Sequence, residues 1–112
     1  MTRYLISFDD GAMTFPEEEL PEVAEASHEV VCKAQDAGVW VFGGGLERQQ
    51  ASVVATDGTV TDGPYPETKA VLGGFSIIDV PTREDALEWA AKIAAACRCA
   101  QEVREIMADP TV

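Results

Sequence analysis

The chain has 112 residues, 46% of them hydrophobic, which suits one compact domain with an ordinary apolar core. Twenty acidic residues against eight basic ones give a formal net charge of −12, a balance that argues against a nucleic-acid-binding surface and against attraction to an anionic membrane. We therefore expect a single domain over residues 1–112 with neither nucleic acid nor membrane as a partner.

Three sequence features favour a cytoplasmic protein. The N-terminus lacks the basic segment and apolar core of a signal peptide, and no apolar run approaches the ~20 residues that span a bilayer. The cysteines, Cys32, Cys97 and Cys99, are odd in number, which fits a reducing compartment. Because the chain has one histidine and no second close cysteine pair, we interpret the thiols as structural and expect no metal site and no cofactor.

The first elements are predicted as a strand and a helix. Apolar residues alternate over Arg3 to Phe8, which indicates a strand. Thr14 stands three residues before Glu17 in a capping-box pattern, which marks a helix start. Pro21 should break or restart this helix, so we expect a short turn and then a main helix to about Ala37, with Gly38 capping its end. The residues at helical spacing that should face the core are Leu20, Val23, Ala24, Ser27, Val31 and Ala34.

A second strand and a hairpin are predicted next. Val39–Phe42 is apolar on both faces, which is typical of a central or covered strand, and Gly43–Gly45 is expected to end it. Ser52–Thr56 and Thr59–Thr61 flank Asp57-Gly58, a strong signal for a hairpin with a two-residue turn.

The last elements are a strand, a helix and a final strand. Phe75–Val80 is strongly apolar, and Thr82 after Pro81 is a suitable N-cap for the second helix. Gln101–Met107 is predicted as the last strand, with the weakest pattern. The helix residues predicted to face the sheet are Ala86, Trp89, Ala90 and Ile93.

This element order predicts an α+β fold of the ferredoxin-like type, with an antiparallel sheet and two helices on one face. The opposite face is expected to carry Trp40, Phe42 and other apolar side chains, with no helix left to cover them. Because such a face is unfavourable in water, the pattern predicts a homodimer that packs sheet against sheet.

The most unusual segment runs from Asp62 to Lys69. It contains two prolines and opposite charges and is followed by Leu72-Gly73-Gly74-Phe75. A connection that only reverses the chain rarely needs so many special residues, so we predict a rigid, shaped loop. The segment resembles the signature of YCII-related proteins of the DGPF subgroup, with Tyr65 where that signature usually has Phe. The resemblance extends over nearly the whole chain.

The resemblance implies a ferredoxin-like domain of the dimeric α+β barrel type and a homodimer. Some YCII relatives are lyases or isomerases that act on small ring compounds. Some DGPF members are encoded beside, or fused to, extracytoplasmic-function sigma factors. The resemblance therefore leaves open whether the chain is an enzyme or a binding or regulatory module.

Three residues are candidates for acid–base chemistry. His28 is the only histidine, and histidine is the side chain whose unperturbed pKa lies nearest neutrality. Asp9 and Asp10 end the first strand, where a carboxylate can orient His28 or polarise a substrate. The alternative for His28 is a helix histidine without a role, and for the aspartates it is capping of a turn.

Four residues are candidates for ligand binding at the signature loop. Asp62 can hold the loop through an Asx turn, Tyr65 offers an aromatic wall, Lys69 can neutralise a carboxylate or enolate, and Phe75 follows the loop. We hypothesise a small-molecule cleft near this loop, with lyase- or isomerase-type proton transfer left open. The alternatives are a non-catalytic module that docks its acidic surface on a protein partner such as a sigma factor, and a loop that only seals the dimer.

Overall fold

The computed structural model describes residues 1–47, 51–62 and 72–112 of the chain. Its elements in chain order are β1 (Thr2–Asp9), a 3-10 turn (Glu17–Glu19), α1 (Leu20–Asp36), β2 (Trp40–Gly45), β3 (Ser52–Val54), β4 (Val60–Asp62), β5 (Leu72–Val80), α2 (Arg83–Cys97) and β6 (Glu102–Glu105). No helix in these ranges is long and apolar enough to cross a membrane.

The main sheet confirms the predicted fold class. Its strand order is β2-β5-β1-β6, and every neighbouring pair is antiparallel. Two strand–helix–strand units interleaved in this way form the split arrangement of ferredoxin-like folds. Strands β3 and β4 pair only with each other and form a separate hairpin.

The hairpin turn differs from the prediction by one residue. Beyond the ends of β3 and β4, Ala55 and Thr59 continue the pairing, because the Ala55 N–H donates to the Thr59 carbonyl at 2.8 Å. The turn itself is therefore the three residues 56–58. Gly58 has φ +89°, the left-handed conformation of the third residue in such loops. The Asp57 carboxylate accepts the Thr59 N–H at 2.9 Å, and this bond lowers the pKa of Asp57.

The predicted short turn followed by a main helix is confirmed, whereas the capping box at Thr14 is wrong. The 3-10 turn begins after Pro16, neither helical start has a side-chain cap, and the α-helix begins at Leu20. Pro21 lies in the first helical turn, where backbone N–H groups have no partner within the helix, so its missing N–H does not cost a helical hydrogen bond. The predicted end is confirmed, because Gly38 follows the helix with φ +75°.

The predicted buried side of α1 is confirmed only in part. Val23 and Ala34 are buried, whereas Leu20 is 51% exposed and the prediction for that residue is wrong. The remaining members of the predicted set are half-buried: Ala24, Ser27 and Val31. The reason is that α1 packs mainly against α2 and does not close down on the sheet.

Helix α2 follows its prediction closely. The Thr82 hydroxyl accepts the Asp85 N–H at 3.2 Å, which confirms the N-cap. Ala86 and Ala90 are buried against the sheet, and Trp89 and Ile93 pack at the edge of the same cluster. The small alanines allow the helix axis to approach the strands closely.

Strand β2 contradicts two expectations. Gly43–Gly45 does not end the strand but continues it, pairing with β5. Trp40 lies on the helix-covered face, because it pairs with Ile78 and packs against the core cluster, so its predicted place on the opposite face is wrong. The register shifts between Trp40 and Phe42, and this irregularity leaves Phe42 on the opposite face, paired with Ile77.

Candidate functional site

The helix-covered face of the sheet has a filled end and an open end. Under α2, large side chains form the core: Tyr4, Ile6, Ile78 and Val80. The strand register places a different set at the other end of the same face: Phe8, Gly43, Gly45, Gly74 and Ser76. Because four of these five side chains are absent or small, and because α1 packs mainly on α2, the described residues do not fill the open end.

A cleft of about 680 Å³ lies at this open end, within the ~300–1,000 Å³ of small-molecule sites. Within the described chain, the sheet supplies its floor with Phe8, Trp40, Gly43, Gly44, Gly45 and Ser76. Helix α1 and the segment before it supply Met13, Ala24, Ser27, His28, Val30, Val31 and Gln35, and the α2 side supplies Ile93, Ala96, Cys97 and Gln101. Phe42 and Phe75 also border the cleft, although the register assigns them to the opposite sheet face.

The floor of the cleft is shaped by aromatic rings that lie on glycines. A Cβ atom added to Gly74 would stand 2.7 Å from the Phe8 ring, and one added to Gly43 would stand 2.9 Å from the Trp40 ring. A Cβ added to Gly45 would meet nothing within 4 Å. The two rings therefore occupy the space above their glycines, while the floor at Gly45 stays open.

Most polar side chains of the cleft lie on α1 and at the end of α2, and Ser76 lies on the sheet. The Ser27 hydroxyl donates to the Val23 carbonyl at 2.8 Å and lies 3.4 Å from the Cys97 thiol. The amide of Gln101, which follows α2, donates to the Cys99 carbonyl at 3.4 Å. Burial, followed by the neighbouring Cys97, raises the pKa of the Cys99 thiol.

The cleft carries no formal charge from the described residues that line it, none of which is Asp, Glu, Lys or Arg. This is unusual in a chain of which 25% of residues are charged. Nor do the described parts of the chain contain a group of three or more His, Cys, Asp or Glu side chains that could hold a metal ion. The arrangement suits an apolar ligand held by a few neutral hydrogen-bonding groups and one histidine.

One ion-pair cluster ties the start of α1 to the end of α2 beside the cleft walls. Arg98 ends α2 with φ +57° and reaches Glu19 at 3.0 Å and Glu22 at 3.7 Å. Its guanidinium also lies 5.9 Å from the centre of the Phe15 ring. These exposed contacts hold the two helical walls together at one end, while each single pair contributes little to stability.

The predicted acid–base residues occupy different places. His28 lies on α1 and borders the cleft. Asp9 and Asp10 are exposed at the end of β1, and neither is among the described residues that line the cleft. The Asp9 carbonyl accepts the Ala12 N–H at 3.1 Å and Gly11 has φ +81°, so this segment forms a tight turn.

The predicted ligand-binding residues are also spread out. Phe75 borders the cleft, and Asp62 ends β4, where its carboxylate accepts the Ser52 hydroxyl at 3.3 Å across the hairpin. Tyr65 and Lys69 lie outside the described residues. Sequence reasoning did not identify Phe8 and Trp40 as cleft residues. The available signal was the presence of two glycine runs, Gly43–Gly45 and Gly73-Gly74, which the antiparallel register brings side by side.

Comparison with known proteins gives a family but no individual relative. No curated protein matches the chain. Residues 2–108 match the YCII-related domain, which covers nearly all of the sequence. The match and the ferredoxin-like sheet agree with each other, and the chain belongs to the YCII-related domain family.

Proposed function

We propose that this protein binds a small molecule in the cleft between α1 and the sheet. The observation that carries the proposal is a cleft of about 680 Å³ whose described lining is mainly apolar and includes the only histidine of the chain. Apolar side chains that line an open cleft remain partly exposed to water, which is less favourable than packing them in a core. A fold that keeps such a volume beside convergent polar groups is typical of a binding site.

The role proposed for His28 is to hydrogen-bond the polar group of the ligand, and to transfer a proton if the protein is an enzyme. His28 is exposed on its helix and borders the cleft, so its ring is accessible to both ligand and water. A lyase or isomerase reaction needs a group that exchanges protons near neutral pH, and histidine meets that requirement. Asp9, Asp10, Asp62, Tyr65 and Lys69 remain candidates for orienting or ligand-binding groups.

A thermal-shift screen tests the binding proposal. The purified protein is heated with small hydroxy-aromatic, lactone and carboxylate compounds, and a ligand at 100 times its dissociation constant should add about 2.7 kcal/mol of stability. We expect His28→Ala to lower the affinity for such a ligand by about 2–10-fold, the range for one lost neutral hydrogen bond. The unliganded melting temperature should hardly change, because His28 is exposed.

The matched control is Glu25→Ala, which changes another exposed residue of α1 that is not among the described lining residues. It should leave the ligand shift unchanged. If both variants lose the shift equally, or if no compound in the screen stabilises the wild type, the cleft proposal fails. For any ligand that binds, a turnover assay decides about catalysis, since loss of an acid–base group lowers the rate by about 10²–10⁴-fold.

We further propose that the chain is of the DGPF subgroup and forms a homodimer through the opposite face of the sheet. The segment from Asp62 to Lys69 supports the subgroup. On the opposite face, Phe42 is 63% exposed and its ring centre lies 6.0 Å from that of Phe75. Both described helices lie on the other side of the sheet, so a second copy would bury this aromatic pair.

Sedimentation of the wild type and of Phe42→Asp tests the dimer. We expect the wild type to sediment as a dimer and the variant to dissociate, because a carboxylate would be buried in an apolar interface. Unfolding of the variant monitored by circular dichroism should remain cooperative, since Phe42 is exposed within one copy. A wild type that is monomeric at all concentrations would contradict this proposal and leave the cleft proposal intact.

A further inference from the structure

The shape and charge of the cleft point to a specific class of ligand. We infer that the cleft selects an uncharged, planar ring compound that lies flat on the glycine floor at Gly45, between the rings of Phe8 and Trp40. This inference rests on the proposed binding function and adds the ligand class and a specificity-determining position.

The planar shape follows from the strand register. Gly45 pairs with Gly74, which lies under the Phe8 ring, and Gly45 is two residues beyond Gly43, which lies under the Trp40 ring. The position at Gly45 therefore has an aromatic ring on two sides and no side chain of its own. A flat ring can lie on the exposed peptide planes there and pack against both aromatic neighbours, whereas a puckered saturated ring touches fewer atoms.

The absence of charge follows from the lining. None of the described lining residues is Lys or Arg, so a buried carboxylate would find no cation among them and would also meet the field of a chain with net charge −12. None of them is Asp or Glu either, so a buried cation would have only ring faces for compensation. A neutral ligand avoids both costs, and His28, Ser27 and Gln101 can hydrogen-bond one or two neutral polar groups.

Gly45 is the position that sets the specificity. A Cβ added to Gly45 meets nothing within 4 Å among the described residues, and the side chain of Gly45→Val would occupy the floor of the cleft. The control is Ala91→Val, which adds side-chain volume at an exposed position of α2 that is not among the described lining residues.

The test compares four probes by isothermal titration calorimetry. They are 2-naphthol (neutral, planar), 2-naphthoate (anionic, planar), decahydro-2-naphthol (neutral, puckered) and (2-naphthylmethyl)trimethylammonium (cationic, planar). We expect 2-naphthol to bind at least about tenfold more tightly than each of the others. The puckered probe makes fewer contacts with the floor and the rings, and each charged probe buries a charge without an opposite charge beside it. Gly45→Val should weaken the binding of 2-naphthol by at least about tenfold through steric overlap, and Ala91→Val should weaken it by less than about twofold.

Several results would overturn the inference. Preferred binding of 2-naphthoate would show that a cation enters the cleft. Preferred binding of the ammonium probe would indicate an aromatic cage. If decahydro-2-naphthol binds as tightly as 2-naphthol, the floor of the cleft does not select planar rings. Equal effects of Gly45→Val and Ala91→Val on 2-naphthol binding would contradict the role of Gly45 in specificity. If none of the probes binds, the ligand class is wrong, while the broader thermal-shift screen decides separately whether the cleft binds any ligand.

Discussion

Ile6→Ala is expected to destabilise the protein by about 2–5 kcal/mol, whereas Phe8→Ala should cost only about 1 kcal/mol although it removes a larger side chain. Both residues lie on the same face of β1, two positions apart. Ile6 has 0% exposure and lies in the core under α2, while Phe8 is half-buried and borders the cleft. The difference between the two losses in the free energy of unfolding measures how much less tightly the open end of the sheet is packed than the filled end.

Urea unfolding of the wild type and the two variants, followed by circular dichroism, gives these free energies directly. The free energy of unfolding should fall with urea concentration at the same slope in all three proteins, so that the midpoints of unfolding report stability alone. If Phe8→Ala costs as much as Ile6→Ala, the open end of the sheet is packed like a core, and the cleft does not exist in solution.

Gly43→Ala is expected to cost about 1–3 kcal/mol, the range for overpacking, or more if the strand pairing is disturbed. A Cβ atom at Gly43 would stand 2.6 Å from the Phe75 carbonyl oxygen and 2.8 Å from the Ser76 Cα, both backbone atoms of the neighbouring strand. Backbone atoms in a paired strand cannot move aside as a flexible side chain can. The substitution should therefore separate β2 from β5 locally and tilt the Trp40 ring out of the cleft floor.

Gly44→Ala is the control for this prediction, because it makes the same chemical change in the next residue of the same strand. Its Cβ would meet nothing within 4 Å, and its φ does not lie in the left-handed region. Replacing this glycine should leave stability unchanged or raise it by up to about 1 kcal/mol, through a less flexible unfolded chain. Equal losses in the two variants, measured by urea unfolding, would contradict the close strand contact at Gly43.

The sequence predicted those parts of the fold that local patterns determine. The alternation in β1, the N-cap at Thr82 and the glycine after α1 each depend on a few neighbouring residues, and each was confirmed. The short turn before the main helix was expected, but the capping box at Thr14 was wrong, because the 3-10 turn begins after Pro16 without a side-chain cap. The turn at Asp57-Gly58 was wrong by one residue because the same dipeptide suits both loop lengths.

The cleft itself could not be predicted from local patterns. Gly43–Gly45 was interpreted as the end of a strand, whereas the register places Gly45 opposite Gly74 and so creates a shared floor. Pairing between segments some thirty residues apart in the chain depends on the whole sheet. His28 and Phe75 were reached from their chemistry and from the family signature, and both border the cleft.

The most direct test of the central claim, that the cleft between α1 and the sheet binds a small molecule, is an NMR titration of the ¹⁵N-labelled protein with the compounds of the screen. The chain has two tryptophans: Trp40 borders the cleft, while Trp89 packs against the core with Lys92 at 4.4 Å from its ring. We predict that a binding compound moves the Trp40 indole signal together with the amides of His28 and Gly45, and leaves the Trp89 indole unchanged. Binding that moves the amides of Leu5 and Ile77 on the opposite face while Trp40 stays still, or the absence of any compound that moves Trp40, would contradict the claim.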